Sequence, residues 1–484
     1  MPFTEFCCRS GGSNLNAGTR TGSSTEPGTT ADLTYASGSW DAATGVFTVA
    51  SGNPSSDGVA VGDFASVYSD GSTVTSFVGR VTAVSTTTIT VSLTAKAGTA
   101  PTDGTGNRTL KIGGAWAGPS GTSGFPLTLS TLASLVNAAS DANRVNMKNN
   151  ATYFITSAIT TASNGPTTIE GYTSSYGDGG RFILDGGTSG ASYVLLTLSG
   201  LAYTLRHAIL RNNGATGSAS GLETSGANNI LEDVVVNSVR GNGISATSAS
   251  TIFVECETYS CNQSNTASLA GFRGNISGAL MYLRCIAHDN SGSNTRGFMV
   301  TNGNPTFIDC ISDTNGSNGF DLRTNALQAC IVSCDAYNNS GDGMFIGAAV
   351  RGLRLESSNL VKNGGYGLNS DAVFSTTFPS IGRIVNCGFG SGTQANTSGA
   401  TNGLGQFVVS GSVTYAADMT PWVDPANGDF SINLGDAKGA GRGTFTQTAA
   451  SYSGTVGYPD IGAAQAAVSG GGSRMVNIRG GADQ

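Results

Sequence analysis

Five side chains in this 484-residue chain have types and spacing that could do chemistry: Tyr259, His288, Asp313, Asp335 and Tyr337. Four cysteines locate them. Cys256, Cys285, Cys310 and Cys334 are separated by 29, 25 and 24 positions. Three residues after each cysteine stand Tyr259, His288, Asp313 and Tyr337. One residue after stand Glu257, Ile286, Ile311 and Asp335, and just before stand Glu255, Arg284, Asp309 and Ser333. If equivalent positions stack, Asp313 lies near Asp335, with His288 one repeat away. Glycoside hydrolysis needs two carboxyls roughly 5–9 Å apart, with pKa values driven apart by their surroundings. Asp313, Asp335 and His288 are therefore the catalytic candidates. Tyr259, His288, Asp313 and Tyr337 also suit carbohydrate binding, with rings stacked on sugars and acids accepting hydroxyl hydrogen bonds. Binding asks less of the sequence, because it needs no pKa tuning. The blandest reading is a solvated face with ordinary charge alternation. A slip of one residue would turn every one of these side chains to the other face.

Other chemistry finds little support. The chain has only two histidines, His207 and His288. No Gly-x-Ser-x-Gly elbow, phosphate loop or His-Glu-x-x-His motif stands out. The cysteine spacing matches no zinc motif, so the expectation is no metal, no cofactor and an inward ladder of small apolar thiols. Cys7 and Cys8 are adjacent and poorly placed to bridge each other, and Cys261, Cys330 and Cys387 have no assigned role.

The elements that would position these residues repeat. Gly-apolar steps fall at Gly221-Leu222, Gly243-Ile244, Gly271-Phe272, Gly297-Phe298, Gly319-Phe320, Gly343-Met344 and Gly367-Leu368, spaced 22, 28, 26, 22, 24 and 24. Between them runs a second column: Val254-Glu255-Cys256, Leu283-Arg284-Cys285, Ile308-Asp309-Cys310, Val332-Ser333-Cys334 and Leu355-Glu356-Ser357, with Ser357 continuing the cysteines. Two columns with one period predict an all-β solenoid of short strands. One rung cannot bury its inward face alone, and stacking pairs its backbone with the rungs on either side. Asn262, Asn290, Asn315 and either Asn338 or Asn339 fall at bends, where asparagine tolerates left-handed backbone and its amide bonds stacked neighbours.

Composition agrees. Gly supplies 71 residues and charged residues 11%, while 38% are apolar at regular spacing, which argues against disorder. The net charge of −7 and the lack of a basic patch argue against nucleic acid. No apolar run is long enough to predict a membrane span. Met1–Cys8 has no apolar region or early positive cluster and does not read as a secretory signal. The organisation expected is an N-terminal lead-in over 1–30, a small β-barrel or sandwich over 31–113, a solenoid over 114–465 and an extended arm over 466–484. The module's expected core includes Phe47, Val67, Phe77, Val81 and Ile89. Within 125–150 a short helix and then a strand would cap the solenoid.

Three segments resemble known proteins. Phe6-Cys7-Cys8-Arg9-Ser10-Gly11-Gly12-Ser13-Asn14-Leu15-Asn16-Ala17-Gly18-Thr19 resembles the opening strand and turn of many right-handed β-helix proteins. Asn427-Gly428-Asp429-Phe430 followed by Asp460-Ile461-Gly462-Ala463 is similar to the ending of many members of the pectin-lyase-like superfamily. Lys111-Ile112-Gly113-Gly114-Ala115-Trp116-Ala117-Gly118-Pro119 looks like the start of β-helix proteins in phage genomes. These resemblances imply a right-handed parallel β-helix. With the absent secretory features, the low-charge surface and the small β module, the rod and the third segment suggest a bacteriophage virion structural protein, either a head decoration or fibre or a tailspike type. Its partners would be capsid or tail proteins and host surface polysaccharide, in a homo-oligomer with a trimer favoured. It would be made in host cytoplasm and exposed on the particle. The alternative is a carbohydrate-active enzyme, a polysaccharide lyase or glycoside hydrolase, on the same fold; the expectation leans away from catalysis.

Overall fold

The structure is a computed structural model. It describes residues 4–9, 13, 16–17, 28, 30–72, 77–98, 100–115, 143–161, 166–248, 250–266, 268–290, 292–326, 328–348, 350, 352–371 and 382–390, and short strands at 407–410, 413–414, 422–424 and 429–432. None of the described residues is helical. The helix expected after residue 125 and the arm over 466–484 lie outside the described residues. Contacts divide the chain into two compact units, Met1–Ala215 with Leu222–Val235, and Thr216–Gly221 with Val236–Gln484.

The first unit contains a closed antiparallel barrel of six strands. Around the barrel run Leu33–Asp41, Val46–Thr48, Thr88–Gly98, Phe77–Val84, Phe64–Ser69 and Gly104–Ile112, and closure comes from Leu33 pairing with Ile112. Alternating sequence fills the interior with Phe47, Val67, Phe77, Val81 and Ile89, joined by Trp40 against Phe77 at 5.6 Å. Closure leaves no free strand edge. Gly38 lies where that first strand slips register; a Cβ there would stand 2.2 Å from Phe47 Cζ, so only glycine fits.

The barrel is an insertion between two neighbouring strands of the solenoid. Thr4–Cys8 precedes it in sequence, yet pairs in parallel with Asn143–Lys148, which follows it. That strand pairs in turn with Thr167–Tyr172, and the next with Tyr203–Arg211. The lead-in and the barrel's exit are tied by Ser13 N donating to Ala115 O at 3.0 Å and Asn16 Nδ2 donating to the same oxygen at 2.7 Å.

In the second unit every rung repeats the same columns. Ile244, Phe272, Phe298, Phe320, Met344 and Leu368 stack in register. Phe272, Phe298 and Phe320 lie parallel at 4.8 and 5.0 Å. A second column, Phe253, Tyr282 and Phe307, stacks at 4.7 Å per step and meets the first edge-on. The glycines before the first column permit close approach: a Cβ on Gly319 would stand 2.7 Å from Gly343 O. Cys256, Cys285, Cys310 and Cys334 are fully buried free thiols, and burial pushes Cys285 and Cys334 well above the usual thiol range.

Two registers differ from expectation. Ser358, not Ser357, follows Cys334: Asp335 pairs with Asn359, and Ser358 Oγ accepts from Cys334 N at 3.1 Å. Cys387 then resumes the column, because Leu360 pairs with Phe389. The apolar pattern misled because Glu356 occupies the position of Val332, its buried carboxylate held by Arg354 Nη2 at 2.7 Å. Likewise the asparagine ladder runs Asn290, Asn315, Asn339 and Asn363, each Nδ2 donating to the next Oδ1 at 2.8–2.9 Å. Cys261 holds the rung before Asn290, whose Oδ1 accepts from Cys261 N. Asn262 instead braces its own bend through Thr266 O and Thr295 Oγ1.

Truncating Asn339 removes the acceptor for Asn315 N and the donor to Asn363 and Ser312 O. Each buried group so orphaned costs about 1–3 kcal/mol. Asn339→Ala is expected to lower the denaturant midpoint clearly, while an unchanged midpoint would show that the ladder adds no stability.

Candidate functional site

One face of the second unit carries all five candidates. It is built from the three-residue strands Glu257–Tyr259, Ile286–His288, Ile311–Asp313, Asp335–Tyr337 and Asn359–Val361, paired in register. Each strand is bracketed by two non-glycine residues in left-handed backbone. Before it come Glu255, Arg284, Asp309, Ser333 and Ser357, with φ of 50–53°. After it come Ser260, Asp289, Thr314, Asn338 and Lys362, with φ of 49–55°. Each leading corner passes its N–H to the next rung, as Arg284 N does to Ile308 O and Asp309 N to Val332 O, and of the trailing corners Asp289 N and Thr314 N do the same. With both ends fixed, the middle residues Thr258, Ala287, Ser312, Ala336 and Leu360 are buried inward, and the first and third residues face outward.

The outward columns are therefore Tyr259, His288, Asp313 and Tyr337 on one line, and Glu257, Ile286, Ile311, Asp335 and Asn359 on the other. Tyr259 stacks on His288 at 5.2 Å with planes 20° apart. His288 Nε2 meets Glu257 Oε1 and its Nδ1 meets Asp289 Oδ2, both at 2.8 Å. Burial disfavours the imidazolium, but the two carboxylates outweigh it and raise the pKa to about 9. At neutral pH both ring nitrogens therefore carry protons and donate. His288 can then bind and orient, but it has no lone pair with which to act as a base.

The acids sit deeper than a solvated face implies. Asp313 is 2% exposed and its Oδ1 accepts from Thr314 Oγ1 at 2.6 Å. Asp335 is fully buried, with Oδ1 accepting from Asn359 Nδ2 at 3.1 Å. They lie on neighbouring strands in different columns. Glu257 and Asp289 are the site residues that spacing alone underrated. The available signal was the sequence neighbourhood of His288, since Asp289 follows it and Glu257 lies one rung away. The other histidine, His207, belongs to the first unit, where its Nδ1 meets Asp233 Oδ2 at 2.9 Å and Arg181 clasps the same carboxylate. Among the described residues no group of three or more His, Cys, Asp or Glu side chains is arranged to hold a metal.

Residues 220–378 match the family model described as a right-handed β-helix region, and the main body of this protein is a right-handed parallel β-helix. No curated protein resembles the chain closely enough to count as a match. Among solved structures, a pectate lyase is similar over 67% of this chain and 88% of its own, with 14% identity and a TM-score of 0.45. A rhamnogalacturonan lyase is similar over 60% and 84%, with 12% identity and a TM-score of 0.41. The catalytic domain of a family 87 α-1,3-glucanase, solved with nigerose, is similar over 78% and 90%, with 11% identity and a TM-score of 0.30.

The His288 clamp has a pH signature. Folding raises this pKa from 6.5 to about 9, so the charged clamp stabilises the fold fully below pH 6.5 and is lost as pH climbs through 9. Between about pH 6 and pH 10 the wild type is expected to lose on the order of 3 kcal/mol more than His288→Gln, at about 1.4 kcal/mol per pKa unit. Denaturant midpoints followed in parallel for both proteins measure it, and identical pH profiles would remove the clamp.

Proposed function

We propose that this protein is a surface-exposed β-helix of a bacteriophage particle, of the decoration, fibre or tailspike type, and that it binds host surface polysaccharide without cleaving it. The observation that carries the binding role is the Tyr259–His288 stack pinned by Glu257 and Asp289. A ring fixed in place and backed by charge is a platform for a sugar face, and aromatic contacts of this kind contribute about 0.5–1.5 kcal/mol beyond buried area. Tyr337 lies two rungs further along the same column and extends the platform. The two remaining features favour binding over catalysis. His288 is held protonated, and Asp313 and Asp335 are engaged and buried away from a ligand. The particle assignment rests on the sequence: one segment, residues 111–119, that looks like the start of β-helix proteins in phage genomes, and a composition low in charge. In this reading the barrel attaches the protein to capsid or tail proteins, and the working assembly is a homotrimer.

The test incubates purified protein with host surface polysaccharide and follows both retention and chain length. Retention without shortening is expected, weakened about tenfold by Tyr259→Ala, a loss of about 1.4 kcal/mol. Depolymerisation abolished by Asp313→Asn or Asp335→Asn would replace this reading with a polysaccharide lyase or glycoside hydrolase. Absence of the protein from purified virions would remove the particle assignment, and a monomer in light scattering would remove the trimer.

A further inference from the structure

Inside the second unit four free, fully buried thiols occupy one inward column on four successive rungs. Register fixes this, because the strands that follow Cys256, Cys285, Cys310 and Cys334 pair residue for residue. The residue after each cysteine also bonds back to the previous cysteine. Ile286 N donates to Cys256 O at 2.9 Å, Ile311 N to Cys285 O at 3.0 Å and Asp335 N to Cys310 O at 2.9 Å. The side chains are oriented alike: each Sγ lies 3.3–3.6 Å from the carbonyl oxygen two residues earlier, on Val254, Leu283, Ile308 and Val332. Equal orientation on paired strands means that successive sulfurs are related by the rung translation, about 4.8 Å. Cys285 interacts with Cys256 on one side and Cys310 on the other, and Cys310 with Cys334.

The column has a defined end. On the rung after Cys334 a hydroxyl, that of Ser358, takes the position, and Cys387 lies beyond it. Four sulfurs therefore leave three sulfur-to-sulfur gaps. A metal–thiolate bond is about 2.3 Å long, so an ion bonded in a line to two sulfurs spans about 4.6 Å, close to the rung spacing. Of the ions that soft sulfur ligands select, zinc asks for a tetrahedral set, whereas copper(I) accepts two ligands in a line. Such an ion lies between sulfurs, so it needs neither a cavity nor a group of three ligands. Each copper(I) displaces one proton. Three ions then leave three thiolates and one thiol, and the assembly is neutral, as a buried site requires.

We infer that the column of Cys256, Cys285, Cys310 and Cys334 binds copper(I), one ion in each gap, two-coordinate between the sulfurs of neighbouring rungs. The thiolate is the ligand, the displaced proton goes to solvent, and copper keeps its oxidation state throughout. The inference is independent of the glycan reading, since it uses inward side chains and not the face of Tyr259 and His288.

Anaerobic incubation of the full chain with copper(I) supplied as its bicinchoninate complex, then gel filtration and metal analysis, tests it. Two double variants keep the number of thiols equal and change only which are neighbours. Serine suits both, because Ser358 already fills this column with its hydroxyl on the carbonyl two residues earlier. Cys285→Ser with Cys310→Ser leaves Cys256 and Cys334 three rungs apart and should lose all three ions. Cys256→Ser with Cys334→Ser leaves Cys285 beside Cys310 and should keep one. The single variant Cys310→Ser, the mildest for folding, should keep only the ion between Cys256 and Cys285. Cys330→Ser, which removes a half-buried thiol outside the column, should bind as the wild type does. X-ray absorption should show two sulfur neighbours per ion. Equal copper content in the two double variants, unchanged content in Cys310→Ser, loss of copper in Cys330→Ser, or three or more ligands per ion would each overturn the inference.

Discussion

Parallel pairing in register is the constraint from which the other features follow. When each strand hydrogen-bonds to the equivalent strand one rung away, every side chain sits about 4.8 Å from its own counterpart. A position is then acceptable only if its residue tolerates a copy of itself, or a complement, directly above and below. Phenylalanine meets this by face-to-face stacking, as in Phe272, Phe298 and Phe320. Asparagine meets it by donating in one direction and accepting in the other, as in Asn315 and Asn339. The thiols of Cys256, Cys285, Cys310 and Cys334 meet it by being small and buried, and burial pushes Cys285 and Cys334 well above the usual thiol range. Charges cannot repeat, and so they alternate: Glu255 beside Arg284, and Arg206 beside Glu232.

The same constraint shapes the outward columns. Tyr259, His288, Asp313 and Tyr337 could not form a column of like charges, and their order places a cation between an aromatic ring and an acid. His288 then recruits Glu257 from the neighbouring column and Asp289 from its own corner. Its protonation is thus a consequence of stacking as much as of any ligand. On the strands of the first phenylalanine column a single buried carboxylate, Asp321, serves two guanidiniums, those of Arg296 and Arg323, and Met299 and Phe345, the residues on either side of Asp321 in its own column, are apolar.

Much of this was legible in the sequence where columns are homogeneous. The Gly-apolar steps and the cysteines carried the period, and alternating residues between Leu33 and Ile112 carried the barrel, because repeated residue types and period-two alternation are local signals. Legibility failed where a rung substituted one solution for another. Glu356 fills a position that Val332 fills one rung earlier, which is possible only because Arg354 neutralises it; the pattern therefore slipped by one and named Ser357 in place of Ser358. Cys261 fills an asparagine position by its backbone N–H, so Asn262 was named in its place. The Arg296–Asp321–Arg323 cluster joins two paired rungs, and only its Asp321–Arg323 half lies within one strand. The same is true of the burial of Asp313 and Asp335, which depends on what covers the face and not on strand alternation.

A solenoid also separates what holds it together from what it can recognise. The inward columns and the corner residues determine stability, since each is repeated and each loss orphans a neighbour. The outward positions of the three-residue strands vary more from rung to rung, holding Tyr259, His288, Asp313 and Tyr337 where the inward ones hold small or apolar residues. Recognition on such a scaffold must therefore be argued from the outward faces, not from the fold. Here the two outward faces follow one another in the chain, from Ile286–His288 through the bend held by Asn290 to Arg296. One face carries the Tyr259–His288 stack with Glu257 and Asp289, and the other carries Arg296, Asp321 and Arg323 in one ion-paired cluster.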